Sequence, residues 1–576
     1  MPKRVLLIVA VSAVLAVPAA YLLRPEPAVP GDAPTLDAMA DAAGAPVMEH
    51  IWRGHVPGRS AEIMLVPKPH RFLIGEWPLT TLGTDTPEVS TAHPNPWGYL
   101  ARVPLIFYGP GYIQEGLTVE DPVDIADVAP TFAQLLGIDL DADGAPLDAI
   151  QPSHRKPPKA IFTVVIDGGG WNALQEHPDS WPTIDRLQDH GTSYVNATIG
   201  SAPSITGALH PTFGTGSYPV NHGIPGNQMR GPHGNNTDTW RQEADPRYLE
   251  LPTVAELWDE ANSNDALVAT VSFEGWHLGM IGHGAQRPGG DKDIAVLWEV
   301  LDNAWWINED YYTLPSYLQT TDLERLESYE ASLDSRDGLV DGVWFGHTLE
   351  DIQDEDGEAP RDRPGSPAFV RFTGDAVVDI LRNESFGADG ITDFFWVEMK
   401  MPDYAGHLYN MLGPEQADVI RETDRQIARF KDELDRIVGE DQYVLAISAD
   451  HGQQPLPDVV GGWRVNNVEL ERDIEDRFGD VIEKITPVDI YVDMNETDGD
   501  ELIDIARYIG TYTIGENIPE GAAGADRVPD ARLDELLFVG AFPTGYLQAL
   551  TPAKIQSFGD SDYAEGEFTP AQRGQG

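Results

Sequence analysis

Three segments of the chain end an apolar run in an acid: "TVVID" in Asp167, "WVEMKMPD" in Asp403, and "LAISADH" in Asp450 followed by His451. Four residues after Asp403 comes His407, in "DYAGH". Carboxylates and imidazoles are oxygen and nitrogen ligands for divalent cations, and two Asp–His pairs with a further Asp make ligand sets for a pair of such ions. Each segment alone says little, because an Asp at a strand end often caps the next helix. Together, in order, they form a pattern. A fourth segment, "GSAPSITGALHPTFGTGSYPVNHGIPGN" at residues 200–227, is dense in Ser, Thr, Gly and Asn. One of its hydroxyls could be a nucleophile, if contact with a cation activates it. A fifth, "TAHPNPWGYLARVPLIFYGPGY" at 91–112, sets a lone His93 among prolines ahead of an apolar run. Residue types alone leave His93 as either a loop histidine or a ligand whose partners lie elsewhere in the chain.

These residues need a scaffold. Short apolar runs bounded by polar, Gly-containing turns read as buried strands at 61–67, 102–109, 160–170, 266–273, 393–403 and 442–452. Between them, residues 414–439 place Val419, Ile420, Ile427, Phe430, Leu434 and Ile437 near a 3.6-residue period, and 124–138 reads as a shorter helix. Strands alternating with helices predict an α/β fold with a mainly parallel sheet covered by helices on both faces. In such a sheet the carboxyl ends of the strands converge on one edge, where sites form. Residues 303–367 are acidic and rich in Trp and Tyr. They read as a cap over the site or as an insertion with its own small core. The organisation expected is a leader and linker at 1–34, a first part at 35–150, a Pro-rich, locally basic connector at 151–160, and a main part at 161–576 with a cap-like insertion at 286–390.

Composition sets the class. The absence of cysteine excludes disulfides, thiolate metal ligands and cysteine nucleophiles. There are 94 acidic and 38 basic residues, a net charge of −56. With only 23% charged and 41% apolar residues, the chain is not an acidic disordered tail. The acids are spread along its whole length, as in salt-adapted (halophilic) globular proteins, and binding to a nucleic-acid backbone is not expected. Residues 1–23, with Lys3 and Arg4 ahead of a mostly apolar stretch, read as a signal peptide or a single-helix membrane anchor. The remainder is then expected outside the cytoplasm.

Closer inspection of the motifs gives a specific resemblance. The strand-end acids and the 200–227 segment resemble the alkaline phosphatase superfamily, most of all its type I phosphodiesterase/nucleotide pyrophosphatase branch. That branch carries T-F-P-N-H, then T-G-x-Y-P-x-x-H-G-I, then an Asn. The counterparts here are Thr206 with His210, "TGSYPVNHGI" at 215–224, and Asn227. The resemblance implies a threonine nucleophile, Thr206, and a phosphate-binding Asn227. One metal would be held by Asp167, Asp450, His451 and the Thr206 oxygen, and a second by Asp403 and His407. The family supplies one more histidine to the second metal near the C-terminus, but this chain has no histidine after His451. Residues 91–138 resemble the family's C-terminal tail, so the resemblance implies a circular permutation in which His93 completes the second metal. Ser204 is the competing nucleophile but is out of register.

The resemblance implies a phosphodiesterase or nucleotide pyrophosphatase acting on a small phosphate ester through a phosphoryl-threonine, with two divalent ions, zinc preferred. A phosphomonoesterase or phosphonate hydrolase on the same scaffold is the alternative, and a catalytically silent extracellular binding protein is the alternative of another class. His277 and His283 either face the substrate or are loop histidines, His222 reads as structural, and Arg230 as a neighbour of the site. The charge makes its own prediction. At molar salt the Debye length falls to about 3 Å and self-repulsion is screened. The melting temperature of the full chain should therefore rise steadily from ~0.05 M to ~2 M salt in a thermal scan; a flat or falling profile would remove the salt-adapted reading.

Overall fold

The computed structural model of the chain describes residues 29–73, 91–150, 156–240, 244–300, 302–349, 364–522 and 524–561. The leader at 1–23 lies outside them. Among the described residues no helix is long and apolar enough to cross a membrane.

The apolar runs build one nine-stranded sheet. Its centre is five parallel strands, in spatial order Ile294–Glu299, Val268–Val271, Asp393–Met399, Ala160–Ile166 and Tyr443–Ser448. Every residue of Ala160–Ile166 and Asp393–Met399 is buried, as strands covered on both faces require. Alternate side chains leave to opposite faces. Ile161 and Val165 join the core beneath helices Val128–Leu136, Thr206–Thr215 and Val254–Ala261. Phe162, Val164 and Ile166 join the core beneath helices Pro182–Asp189, Pro367–Asn383 and Pro414–Leu434. The sheet with helices on both faces is thus as the sequence predicts.

Leu105–Tyr108 comes from early in the chain yet extends this sheet beside Tyr443–Ser448, antiparallel, with Leu105 opposite Ser448. Thr192–Tyr194 and Leu117–Val119 continue it outward. The helix read at 124–138 is Val128–Leu136, preceded by a 3-10 turn under an Asp124–Asp127 capping box and ended by Gly137 at φ 74°. The helix read at 414–439 is α-helical only to Leu434; Asp435–Gly439 form one π turn. That turn shifts the phase, so Val438 is buried where Ile437 is only partly so.

Residues 286–390 supply the other edge of the sheet, where Ala304–Trp306 pairs antiparallel with Ile294–Glu299. Their aromatic residues do not build a core apart: Trp298, Trp305 and Trp344 share one with Phe162, Phe369 and Phe430.

Ile63–Pro67 forms a strand outside the main sheet. It lies inside a four-stranded antiparallel sheet, between Asp489–Val492 and Phe538–Pro543, with Ile482–Ile485 at the edge. Arg230, expected near the site, is instead the tie between this sheet and the body. Its Nε and Nη2 donate to the two carboxylate oxygens of Glu62 at 3.0 and 2.7 Å, Nη2 also donates to the Val492 carbonyl at 2.9 Å, and Glu483 completes the pairing. Removing one partner of a buried, bidentate pair leaves a carboxylate uncompensated. Arg230→Ala should therefore cost about 3 kcal/mol of unfolding free energy, read as a lowered denaturant midpoint; an unchanged midpoint would show the tie to be dispensable.

Candidate metal centre

Asp393–Met399, Ala160–Ile166 and Tyr443–Ser448 are adjacent parallel strands, so the residues that follow them meet. Asp167 follows the middle strand directly. Asp450 and His451 follow the third. The first leads into helix Met401–Leu408, where Asp403 and His407, four residues apart, share a face. His93 arrives from the loop before helix Gly98–Ala101.

Two groups result. In the first, His451 Nε2 lies 3.3 Å from Asp167 Oδ1 and 3.1 Å from Asp450 Oδ2, with all three side chains fully buried. In the second, His93 Nε2 lies 3.1 Å from His407 Nε2 and 3.3 Å from Asp403 Oδ1, and His407 Nε2 lies 3.2 Å from Asp403 Oδ2. The groups adjoin: the His93 and His451 rings stack with centroids 3.6 Å apart. The structure thus brings together six of the seven ligands expected from the sequence, the seventh, Thr206, being described below.

The tautomers follow from the hydrogen bonds. Nδ1 of His93 donates to the Ser204 carbonyl at 2.7 Å, Nδ1 of His407 to the Thr91 carbonyl, and Nδ1 of His451 to the Gly452 carbonyl at 3.0 Å. Each ring therefore presents an Nε2 lone pair inward, the usual arrangement of a ligating histidine. Two lone pairs 3.1 Å apart, beside a carboxylate, need a proton or a cation between them. Asp167 Oδ1, Asp450 Oδ2 and His451 Nε2 have no hydrogen-bond partner among the described residues. Buried polar atoms left this way call for a missing partner. Three imidazoles and three carboxylates are borderline and hard donors that fit divalent ions of the zinc type.

Electrostatics agree. Burial lowers the affinity of His451 for a proton, yet Asp450 and Asp167 overcome it and push its pKa up to about 9. Burial, with His451 beside it, keeps His93 neutral. Burial would raise the carboxyls of Asp167 and Asp403, but Lys400 against the first, and His407 with Lys400 against the second, hold both below the usual range. The cluster draws positive charge wherever it can.

Thr206 opens helix Thr206–Thr215, is 3% exposed, and is tied to the centre through His210, whose Nδ1 donates to the Thr206 carbonyl at 3.0 Å and lies 3.9 Å from Asp450 Oδ2. Ser204 is occupied: its hydroxyl donates to the Asn95 carbonyl at 2.8 Å, and its own carbonyl orients His93. Asn227 Oδ1 accepts from the Gly207 amide at 2.9 Å, which leaves its N–H donors for a ligand. A Cβ at Gly207 would come within 2.6 Å of that oxygen, so this position must be glycine.

Other histidines sort by contact. His283 bridges Glu256 and the Leu249 carbonyl, and His222 lies between Thr212 and the Ile224 amide; both are structural. His277 is fully buried against Asp167 and Glu398, so it is neither a solvated loop residue nor a substrate-facing one. Lys400, Glu398 and Gln453 also belong to the centre. Gln453 Nε2 donates to Asp403 Oδ1 at 2.7 Å, and Gly168, at φ +67°, passes too close to that amide for any Cβ. The signal for Lys400 and Glu398 was present: two charged residues inside a run of buried apolar ones.

The α/β sheet with a buried carboxylate–imidazole centre at its carboxyl edge is the arrangement of a metallohydrolase. Residues 162–530 match the type I phosphodiesterase / nucleotide pyrophosphatase family, and the chain belongs to it. It is 24% identical over 406 residues to a protein named calcium-transporting ATPase from Myroides odoratus, spanning 60% of this chain and 72% of that one. It is also 24% identical over 338 residues to alkaline phosphatase PafA of Elizabethkingia meningoseptica, spanning 51% of this chain and 60% of that one. The crystal structure of PafA shares the fold at a TM-score of 0.51 and 20% identity, over 64% of this chain and 82% of that chain.

Because His93 Nε2 stands between His407 Nε2 and Asp403, His93→Ala should lower the metal content of the purified chain from about two ions to about one, by elemental analysis. Retention of both ions with full turnover would remove His93 from the coordination shell.

Proposed function

We propose that the chain is a metal-dependent phosphoric ester hydrolase, in its specific form a phosphodiesterase or nucleotide pyrophosphatase acting through a phosphoryl-threonine at Thr206. The observation that carries this reading is the convergence of three inward Nε2 atoms and three buried carboxylates beside a helix that begins with a threonine. Asp167, Asp450 and His451 would hold one divalent ion and Asp403, His407 and His93 the other, with zinc favoured by the donor set. Bound there, the ions would supply Lewis-acid charge to the phosphoryl oxygens and lower the pKa of a coordinated hydroxyl.

The chain's own residues do the rest. Thr206 Oγ1 attacks phosphorus as the bond to the leaving oxygen breaks in line; water then attacks the phosphoryl-threonine, and the threonine hydroxyl is restored. Position at a helix N-terminus, where free N–H groups and the dipole favour negative charge, suits Thr206 to an anionic phosphoryl group. Asn227, fixed through its oxygen, donates to a nonbridging oxygen as charge accumulates there. His210 holds the first turn of the helix in place through the Thr206 carbonyl.

A diester is preferred because residues 274–284 carry no Lys or Arg to meet the extra charge of a monoester. The names of the alkaline phosphatase relatives favour the second reading, a monoesterase. A circularly permuted order is part of the proposal. It is supported by His93 lying outside the family-matched residues 162–530 while its Nε2 meets Asp403 and His407.

Thr206→Ala should keep its metal and lose turnover by about 1,000-fold or more, measured on bis-p-nitrophenyl and p-nitrophenyl phosphate in parallel. Undiminished turnover would exclude Thr206 as the nucleophile, and a faster native rate on the monoester would replace the diesterase reading with the second one.

A further inference from the structure

The centre contains one cation of its own. Lys400 is 6% exposed, and its Nζ donates to Asp167 Oδ2 at 2.8 Å and to Asp403 Oδ2 at 2.7 Å. These two carboxylates belong to different cation groups. Asp167 Oδ1 faces His451, Asp403 Oδ1 faces His93, and Asp403 Oδ2 is shared between Lys400 and His407 Nε2 at 3.2 Å. Lys400 is thus the one side chain among the described residues that grips both groups by hydrogen bonds.

On its far side stands an unsatisfied set. Both Glu398 carboxylate oxygens and His277 Nε2 have no hydrogen-bond partner among the described residues. His277 Nε2 lies 3.5 Å from Asp167 Oδ2, the oxygen that Lys400 holds, and His277 Nδ1 lies 3.7 Å from Glu398 Oε2. Asp167, His277 and Glu398 are close enough together to hold an ion themselves. Four carboxyls, of Asp167, Asp403, Asp450 and Glu398, are buried within this volume. With two divalent ions and the Lys400 ammonium in place, a third divalent ion would leave a large excess of positive charge in a medium that screens it poorly. A single fixed ammonium supplies a smaller increment, requires no ion uptake, and orients its acceptors by hydrogen bonds.

We propose that the Lys400 ammonium is the third cation of the centre. It clamps one carboxylate oxygen each of Asp167 and Asp403, which sets how the two cation groups stand relative to each other, and it holds the space beside Glu398 and His277 against a third divalent ion. Lys400 is a positioning residue. The inference rests on the two-metal reading above.

Two variants separate charge from room. Lys400→Met removes the charge and keeps the bulk; Lys400→Ser removes both. With excess magnesium and zinc followed by desalting, elemental analysis should count about two ions in the native chain and in Lys400→Met, and about three in Lys400→Ser. Lys400→Met should lose about 10- to 100-fold in kcat on bis-p-nitrophenyl phosphate, with KM changed less than about threefold, because the groups are misplaced and not lost. If Lys400→Met does not fold, Lys400→Gln, neutral but still a donor, is judged by the same readouts. A native chain holding no more than one ion overturns the two-metal reading itself. Two ions in the native chain, with only two in Lys400→Ser or with native turnover in the neutral variant, overturn the assignment of Lys400 alone.

Discussion

Unbalanced negative charge at the carboxyl edge of a buried sheet is the constraint from which the rest of the structure follows. Asp167, Asp403 and Asp450 are brought there by strand geometry, and none is more than slightly exposed. Isolated, each would cost several kcal/mol to ionise in such a place. The fold answers with imidazoles whose outer nitrogens are committed to carbonyls and with a buried lysine. The backbone at the edge is shaped to the same end: Gly168 and Gly207 let Gln453 and Asn227 approach where any side chain would collide. Rigid strands aim the acids, and loops and helix ends bring the histidines. That division allows a precise centre without a strained sheet.

The route of the chain is the second constraint. His93 and Leu105–Tyr108 precede the first central strand in sequence, yet His93 meets Asp403 and Leu105–Tyr108 extends the main sheet. Ile63–Pro67 pairs with strands from the other end of the polypeptide. Contacts between distant segments incur loop-closure entropy that grows only slowly with length, so such wiring is tolerable thermodynamically. Its consequence is cooperativity: the early segments cannot leave without opening the four-stranded sheet and the edge of the main sheet.

This also explains what could be read from the sequence. Four of the five central strands were legible as apolar runs, three of them leading to an acid; Ile294–Glu299 was not read, and His93 was placed at the site only through the resemblance, not by its residue type. The four-stranded sheet was not legible as a unit, since the pairing of Ile63 with Ile490 leaves no local trace. Arg230 reads as a neighbour of the site, but strand Gln228–Arg230 carries it to Glu62. Lys400 and Glu398 escaped notice for a different reason. Within "WVEMKMPD" two charged residues among apolar ones mark a buried pair, but only the three-dimensional convergence gives Lys400 its two acceptors, Asp167 and Asp403.

The surface and the centre work on different length scales. A net charge of −56 repels an approaching phosphate ester, but that field is carried by exposed groups and dies within about 10 Å at 0.1 M salt and faster at higher salt. The field of the centre acts over a few ångströms among buried groups, where salt screens little. Salt therefore governs how readily an anion arrives, through the outer charge, while the chemistry after arrival depends on the spacing of fixed groups that salt does not move. The surface charge is thus placed where ions neutralise it, and the charges of the centre where they cannot reach.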